Sequence, residues 1–218
     1  MNADPGEPSA APSEPASGPA GGPIGRVLSL LLHPAETWDT IAEEPATIEG
    51  LYRHWVLPLA AIPAVATAIG LLAYRGFILF GARYQPSFMT VLGDAVAQYV
   101  LILIATYLLA MLIDQVAPRF GGERSLIRAF KLTAYSGTAA WVFGLMILLP
   151  MAGEFVAFLG SLYSLYILYL GLPKLMRSRP EDNLTYFGLV LGVSILMFVL
   201  ITTLSHNAGD IGGPVHIY

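Results

Sequence analysis

The 218-residue chain contains no cysteine, which excludes disulfides and thiolate-held metals and leaves redox chemistry silent about its compartment. It is also poor in charge. Only 12% of its residues are charged, against ~25% in an ordinary soluble domain, while 56% are hydrophobic. The local signatures of common enzymes are missing as well: there is no HExxH, GxSxG or GxGD, and no glycine-rich phosphate loop ending in Lys-Ser or Lys-Thr. No catalytic or cofactor-binding residue can be named, no cofactor is expected, and the reading is a non-enzymatic protein without a nucleic-acid partner.

What the chain does have is long apolar runs. Five stretches, roughly Trp55–Ala73, Ala95–Ile113, Leu132–Pro150, Phe155–Leu175 and Leu184–Leu204, each run about 19 to 21 residues. At a rise of ~1.5 Å per residue, such a stretch spans the ~30 Å hydrocarbon layer. Backbone amides find no water there, so these stretches must be helices. The expected fold is all-α: a polytopic membrane protein with five transmembrane helices and a short cytoplasmic amphipathic segment. The short loops leave no room for a soluble domain beside it.

Residues 1–23 hold no Lys, no Arg and no apolar segment, which argues against a signal peptide. Pro, Ala, Gly and Ser supply 18 of these 23 residues, too little apolar surface to offset chain entropy, so a disordered tail is expected. A membrane domain over residues 24–205 and a short non-cytoplasmic tail over 206–218 complete the expected organisation.

The basic residues are distributed unevenly. Arg26, Arg53, Arg119, Arg124, Arg128, Lys131, Lys174, Arg177 and Arg179 fall on one side of the five spans; only Arg75 and Arg83 fall on the other. Nine against two is a strong positive-inside signal, so the N-terminus is expected in the cytoplasm and the C-terminus outside, with the inner membrane as the location. The four histidines then divide, His33 and His54 inside, His206 and His216 outside, which excludes a metal site built from all of them.

Before the first span, Val27, Leu28, Leu31 and Leu32 recur at helical spacing. After Pro34, which can start a helix, and before Pro45, which ends one, Trp38, Ile41 and Ala42 share a face while Asp39, Glu43 and Glu44 turn toward the other. An acidic helix is repelled by an anionic leaflet. It is therefore expected to tuck under the bundle, attracted weakly and salt-sensitively by the basic rim of Arg119, Arg124, Arg128, Lys131, Lys174, Arg177 and Arg179. Trp38, Ile41, Asp39 and Glu43 are the candidate docking residues for this contact or for a protein partner.

Within the spans, small residues recur four apart: Gly188 and Gly192, Gly160 and Ser164, Ala140 and Gly144, and Ala60, Ala64 and Ala68. This spacing lets helix backbones approach closely in lipid. Gly160, Ser164, Gly188 and Gly192 are the candidate packing residues, for intramolecular contact first and a homo-oligomer second. Pro58 and Pro63 should bend the first span. Ionisable and polar residues at the span ends (Arg75, Asp94, Gln98, Asp114, Gln115, Glu154) read as caps, interfacial bonds or snorkels. Tyr163, Tyr166 and Tyr169 form a slanting stripe read as packing.

The blocks HPAETWDTIAEEP, LYRHWVLPLAAIPAVATAIG, FKLTAYSGTAAWVFGLMILLP and GSLYSLYILYLGLPKLM, in this order, resemble the YIP family (Ypt/Rab-interacting proteins) in its bacterial branch, over about residues 24–205. The resemblance implies a five-span bundle with a cytosolic N-terminus, and its eukaryotic members bind Rab-type GTPases in early secretory transport. Their Asp-Leu-Tyr-Gly-Pro type motif is absent here, so GTPase binding is not carried over. Where bacterial relatives read Tyr-Ser-x-Thr-Pro, this chain has Tyr135, Ser136, Gly137, Thr138 and Ala139, and a weaker bend is expected. The functional reading is a protein that organises membrane or protein partners. The rival reading, a small transporter or channel component, requires a wet cavity lined by Tyr163, Tyr166 and Asp114.

Overall fold

A computed structural model of the chain describes residues 22–73, 78–79, 82–85, 87–149, 152–210 and 216–217. The expected disorder of residues 1–21 and the snorkelling of Arg75 lie outside the described residues, as do the side chains of Arg83, His206 and His216. Residues 22 and 23, expected in the tail, are instead helical. They open α1 (Gly22–Leu32), which stops at His33 because Pro34 starts a new helix, α2 (Pro34–Glu43).

The first crossing is α3 (Ile48–Leu51), a π turn over Tyr52–Val56 and α4 (Leu57–Ala73) in one continuous helix. In the π turn the Leu57 N–H reaches back to the Tyr52 carbonyl, just ahead of Pro58, which has no N–H to give. The expected irregularity at Pro58 takes this form. Two short strands follow, β1 (Ile78–Leu79) and β2 (Ala82–Gln85), paired antiparallel with Ile78 opposite Arg83. A third, β3 (His216–Ile217), pairs with β2. This ribbon is a small addition to an otherwise helical fold.

The second crossing, α5 (Phe88–Val116), starts at Ser87, whose hydroxyl accepts the Thr90 N–H at 3.0 Å. It ends in a 3₁₀ turn, Ala117–Phe120, closed by Gly121 at φ 69°, where a side chain would be strained and would strike Arg179. The last two crossings are long helices, named below as α8 and α9.

The third stretch is not one helix. It is built as α6 (Leu126–Ser136), α7 (Thr138–Phe143) and a 3₁₀ segment, Gly144–Leu148. It nevertheless covers the full height of the bundle. Beside α4, the Trp55 indole N–H donates to the Thr138 hydroxyl, Gly144 lies against Pro63, and Gly70 faces Ile147. Beside α8 (Gly153–Met176) it runs antiparallel, with Leu132 at Gly171, Ala140 at Ser164, Phe143 at Gly160 and Met146 at Gly153. Of the five expected crossings, four are continuous helices long and apolar enough to span a membrane, and the third is a broken helix packed along α8.

The bend expected to weaken without a proline is present. At Gly137 it is slight, since the Gly137 N–H still reaches the Thr133 carbonyl at 3.1 Å and the Trp141 N–H the Gly137 carbonyl at 3.0 Å. The larger departure is at Ala140, whose N–H goes to the Ser164 hydroxyl at 2.7 Å instead of up its own helix. Irregular backbone at membrane depth survives only when protein covers it, and around the break Thr138, Ala139, Trp141 and Gly144 are buried.

The fifth crossing, α9 (Asn183–Asp210), rests mainly on α5, with the Tyr186 hydroxyl donating to the Ile113 carbonyl at 2.6 Å. It continues to Asp210, past the expected start of the terminal tail at residue 206. The main core (Leu30, Trp38, Ile41, Trp55, Phe130, Leu132, Tyr135, Leu172, Leu175) gathers at the end of the bundle that carries the N-terminal helices, called here the N-terminal face.

Candidate functional site

The N-terminal face is where polar chemistry and burial meet. α2 places Pro34, Thr37, Trp38 and Ile41 on one side, the i, i+3, i+4, i+7 spacing of a helix face, and all four are buried. Trp38 and Ile41 are fully covered. Ala42 lies only at the margin of that face.

Trp38 has a built seat. Its indole N–H donates to the Ile167 carbonyl at 2.9 Å, and its edge meets the Tyr135 ring at 6.3 Å and 87°. Gly171 makes the room: a Cβ there would stand 2.5 Å from the Trp38 ring and 2.7 Å from Leu132. Tyr135 in turn lies 4.8 Å from Trp55, whose N–H donates to Thr138 at 3.1 Å. One aromatic chain thus links α2, α6 and the first crossing.

Two lysines hold the ends of α2. The Lys174 ammonium donates to the Ala35 carbonyl at 2.7 Å and to the Asp39 carboxylate at 2.6 Å. Lys131 donates to the Ile41 carbonyl at 2.8 Å and to the Glu44 carbonyl, supplying donors where the last turn of a helix has none of its own. Arg26, itself buried on the inner side of α1, pairs with the Glu44 carboxylate. α1 is tied at its other end by the Tyr163 hydroxyl, which donates to the Leu31 carbonyl at 2.7 Å.

The basic rim expected to attract α2 is corrected on two counts. Of its seven members only Lys131 and Lys174 reach the N-terminal helices. Arg124 is directed to Asp114 at 3.5 Å, while Arg128 and Arg177 converge on Glu123 at 2.9 and 3.2 Å. The Arg128 hydrogen bond and the Arg177 charge hold the Glu123 carboxyl below the usual carboxylate range. The docking is also more than a surface attraction, because Trp38 and Ile41 are wholly buried. Asp39 and Glu43 remain on the outward, exposed side as expected.

The packing candidates divide. Gly160 is pressed on by Phe143, and Ser164 accepts the Ala140 N–H, so both lie in a close helix contact. Among the described residues, Gly188 and Gly192 have no atom within 4 Å of where a Cβ would stand, so the expected close contact within the bundle is not formed there. The tyrosine stripe does not form a groove: Tyr163 serves α1, while Tyr166 and Tyr169 are half-exposed, the latter edge-on to Phe187. Asp114 sits at the end of α5 beside Arg124. Of the three residues proposed to line a wet cavity, Tyr163 and Tyr166 lie ring to ring at 5.7 Å, but Asp114 is engaged elsewhere, by Arg124. Two hollows on the surface of the described residues are lined almost entirely by apolar side chains, one by Pro23, Ile24, Val27, Trp55, Pro58 and Val142 with His54 at its edge, the other around Tyr52 and Tyr107.

Sequence reasoning missed Gly171, Tyr135 and the Arg26–Glu44 pair. Arg26 carried a signal: a single charge in an eleven-residue apolar helix needs a partner if it is not in water.

The sequence model of the Yip1 domain matches residues 28–202. Inner membrane protein YohC of Escherichia coli strain K12 is 27% identical over 181 residues, covering 82% of this chain and 93% of that protein. The protein of the same name from E. coli O6:H1 strain CFT073 matches to the same extent. No solved structure matches.

Proposed function

The chain belongs to the Yip1 domain family, and on that footing we propose that it is a non-enzymatic protein of the inner membrane that organises protein partners from its cytoplasmic face. The observation that carries the reading is the docked α2, which is held from inside while its outer side keeps Glu36, Asp39 and Glu43 exposed. A rigid acidic surface on a membrane bundle suits a partner whose contacting segment is basic. The nine-to-two split of Lys and Arg supports placing this face in the cytoplasm. Asp39 is engaged only by the half-exposed Lys174, so a basic partner can compete for it; exposed pairs are worth ~0–1 kcal/mol.

The absence of cysteine allows a clean test. A membrane-impermeant thiol photocrosslinker on Glu43→Cys should attach in inverted inner-membrane vesicles and not in intact cells. On illumination it should give protein adducts that vanish when Glu36→Lys is added. Attachment from the other side would overturn the orientation, and efficient attachment without such adducts would overturn the partner reading.

A further inference from the structure

α1 has two faces. Arg26 and Leu30 turn inward and are buried, whereas Ile24, Leu28 and Leu32, each one helical step of four from the next, are 76%, 51% and 68% exposed. Leaving three large aliphatic side chains in water forgoes the favourable free energy of burying them in an apolar medium. We propose that α1 lies in the plane of the membrane, embedded in the leaflet on the N-terminal side, with Ile24, Leu28 and Leu32 solvated by lipid acyl chains.

The depth of α1 relative to the crossings commits the stripe to lipid. On α8 the last charged level is Lys174. The Leu31 carbonyl is bonded by Tyr163, whose backbone lies 11 positions, or ~16 Å, further into the bundle. At the other end of α1, Ile24 borders a hollow whose lining runs from His54 at its rim to Pro58, Leu59 and Val142. Val142 precedes Phe143, which packs on Gly160, so both ends of α1 lie near the same turns of α8. Of the charged groups beyond the crossings, the Glu44 carboxylate reaches α1, and it does so on the inner side, at Arg26.

The internal chemistry of α1 agrees with this placement. Neither its first nor its last turn carries a charge. Its only charge, Arg26, is turned inward and paired with Glu44, as an ionisable group at membrane depth requires. Ser29, on the outer side, returns its hydroxyl to the Gly25 carbonyl at 2.9 Å and so presents no free donor to lipid. An ordinary surface helix carries Lys or Arg on an outward polar face. α1 has its polarity inside and its apolar stripe outside.

A bimane label on Leu28→Cys, in vesicles of phosphatidylethanolamine and phosphatidylglycerol, reads this directly. Labels on Glu43→Cys and Phe198→Cys give the aqueous and lipid references. Quenching by a nitroxide on the acyl chain near the headgroup should exceed that by iodide by at least ~2-fold, as an in-plane helix requires. Iodide quenching equal to that at Glu43→Cys would overturn the proposal, because α1 would then be in water. Protection from both quenchers would also overturn it, because a second copy or another protein segment would then cover the stripe. Leu32→Cys repeats the measurement at a second exposed position, so poor folding of one variant does not decide the outcome.

Discussion

α8 and α9 are nearly interchangeable as sequences. Both are long, both are apolar enough to cross a membrane, and both carry small residues four apart, Gly160 and Ser164 in one and Gly188 and Gly192 in the other. In the fold they are opposites. Over its most apolar stretch α8 is 28% buried and α9 only 6%. Three small residues of α8 each admit a specific neighbour: Gly160 takes Phe143, Ser164 takes a backbone N–H of the broken crossing, and Gly171 takes Trp38. α9 instead contacts its neighbours through Tyr186 and Val190, and turns its glycines outward. Small-residue spacing permits close approach, but which helix is surrounded, and on which face, is decided by the rest of the fold.

The largest effect that would separate the two helices is at Trp38, because it fills a seat found only on α8. Trp38→Ala should cost ~3–5 kcal/mol, the usual range for emptying a buried large-aromatic site. The expected readout is a clearly lowered melting temperature in detergent, together with protease cleavage between α1 and α2. An unchanged melting temperature would mean that α2 contributes nothing to the bundle and that α8 is no better anchored than α9.

A smaller loss is expected at the helix contact itself. The added side chain of Gly160→Leu would start 2.3 Å from the Phe143 Cβ, so α7 must move or α8 must shift. Overpacking of this kind typically costs ~1–3 kcal/mol. A melting temperature equal to that of the parent would show that the broken crossing yields freely, contrary to its close packing on α8 and the Ala140–Ser164 hydrogen bond.

Much of this contrast lies beyond the reach of a sequence. Crossing positions are legible because hydrocarbon thickness and the need for internal backbone bonding impose length and composition on every span. The burial of Trp38 is legible too, since an amphipathic acidic helix with one large aromatic has few places to go. The depth of its seat is not, because it depends on Gly171, 133 positions away and outside any small-residue pair. The fate of the basic residues is likewise hidden. Whether Arg128 meets α2 or Glu123 depends on how the loop after Gly121 turns, and charge counting treats both alike. The break in the third crossing is only half visible. Gly137 marks a loosened point, but the diverted Ala140 N–H requires Ser164 on another helix.

The smallest effect is expected on α9, and it sharpens the comparison most. Gly188→Leu and Gly192→Leu place side chains where no atom of the described residues lies within 4 Å, so none of these must move to admit them. Surface substitutions away from strained or packed features usually stay within ~0.5 kcal/mol, and a leucine facing lipid carries no solvation penalty. Leucine is also a better helix former than glycine, by up to ~1 kcal/mol in exposed helix interiors, so a slight gain in stability is consistent with the same picture. The melting temperature should therefore stay level or rise, in contrast to the drop at Gly160→Leu, and the size in detergent should be unchanged. A loss of stability matching that at Gly160→Leu would place an unseen helix contact on this face of α9. A reduced particle size with unchanged melting would show that the two glycines seat a second copy of the chain, making α9 an intermolecular counterpart of α8.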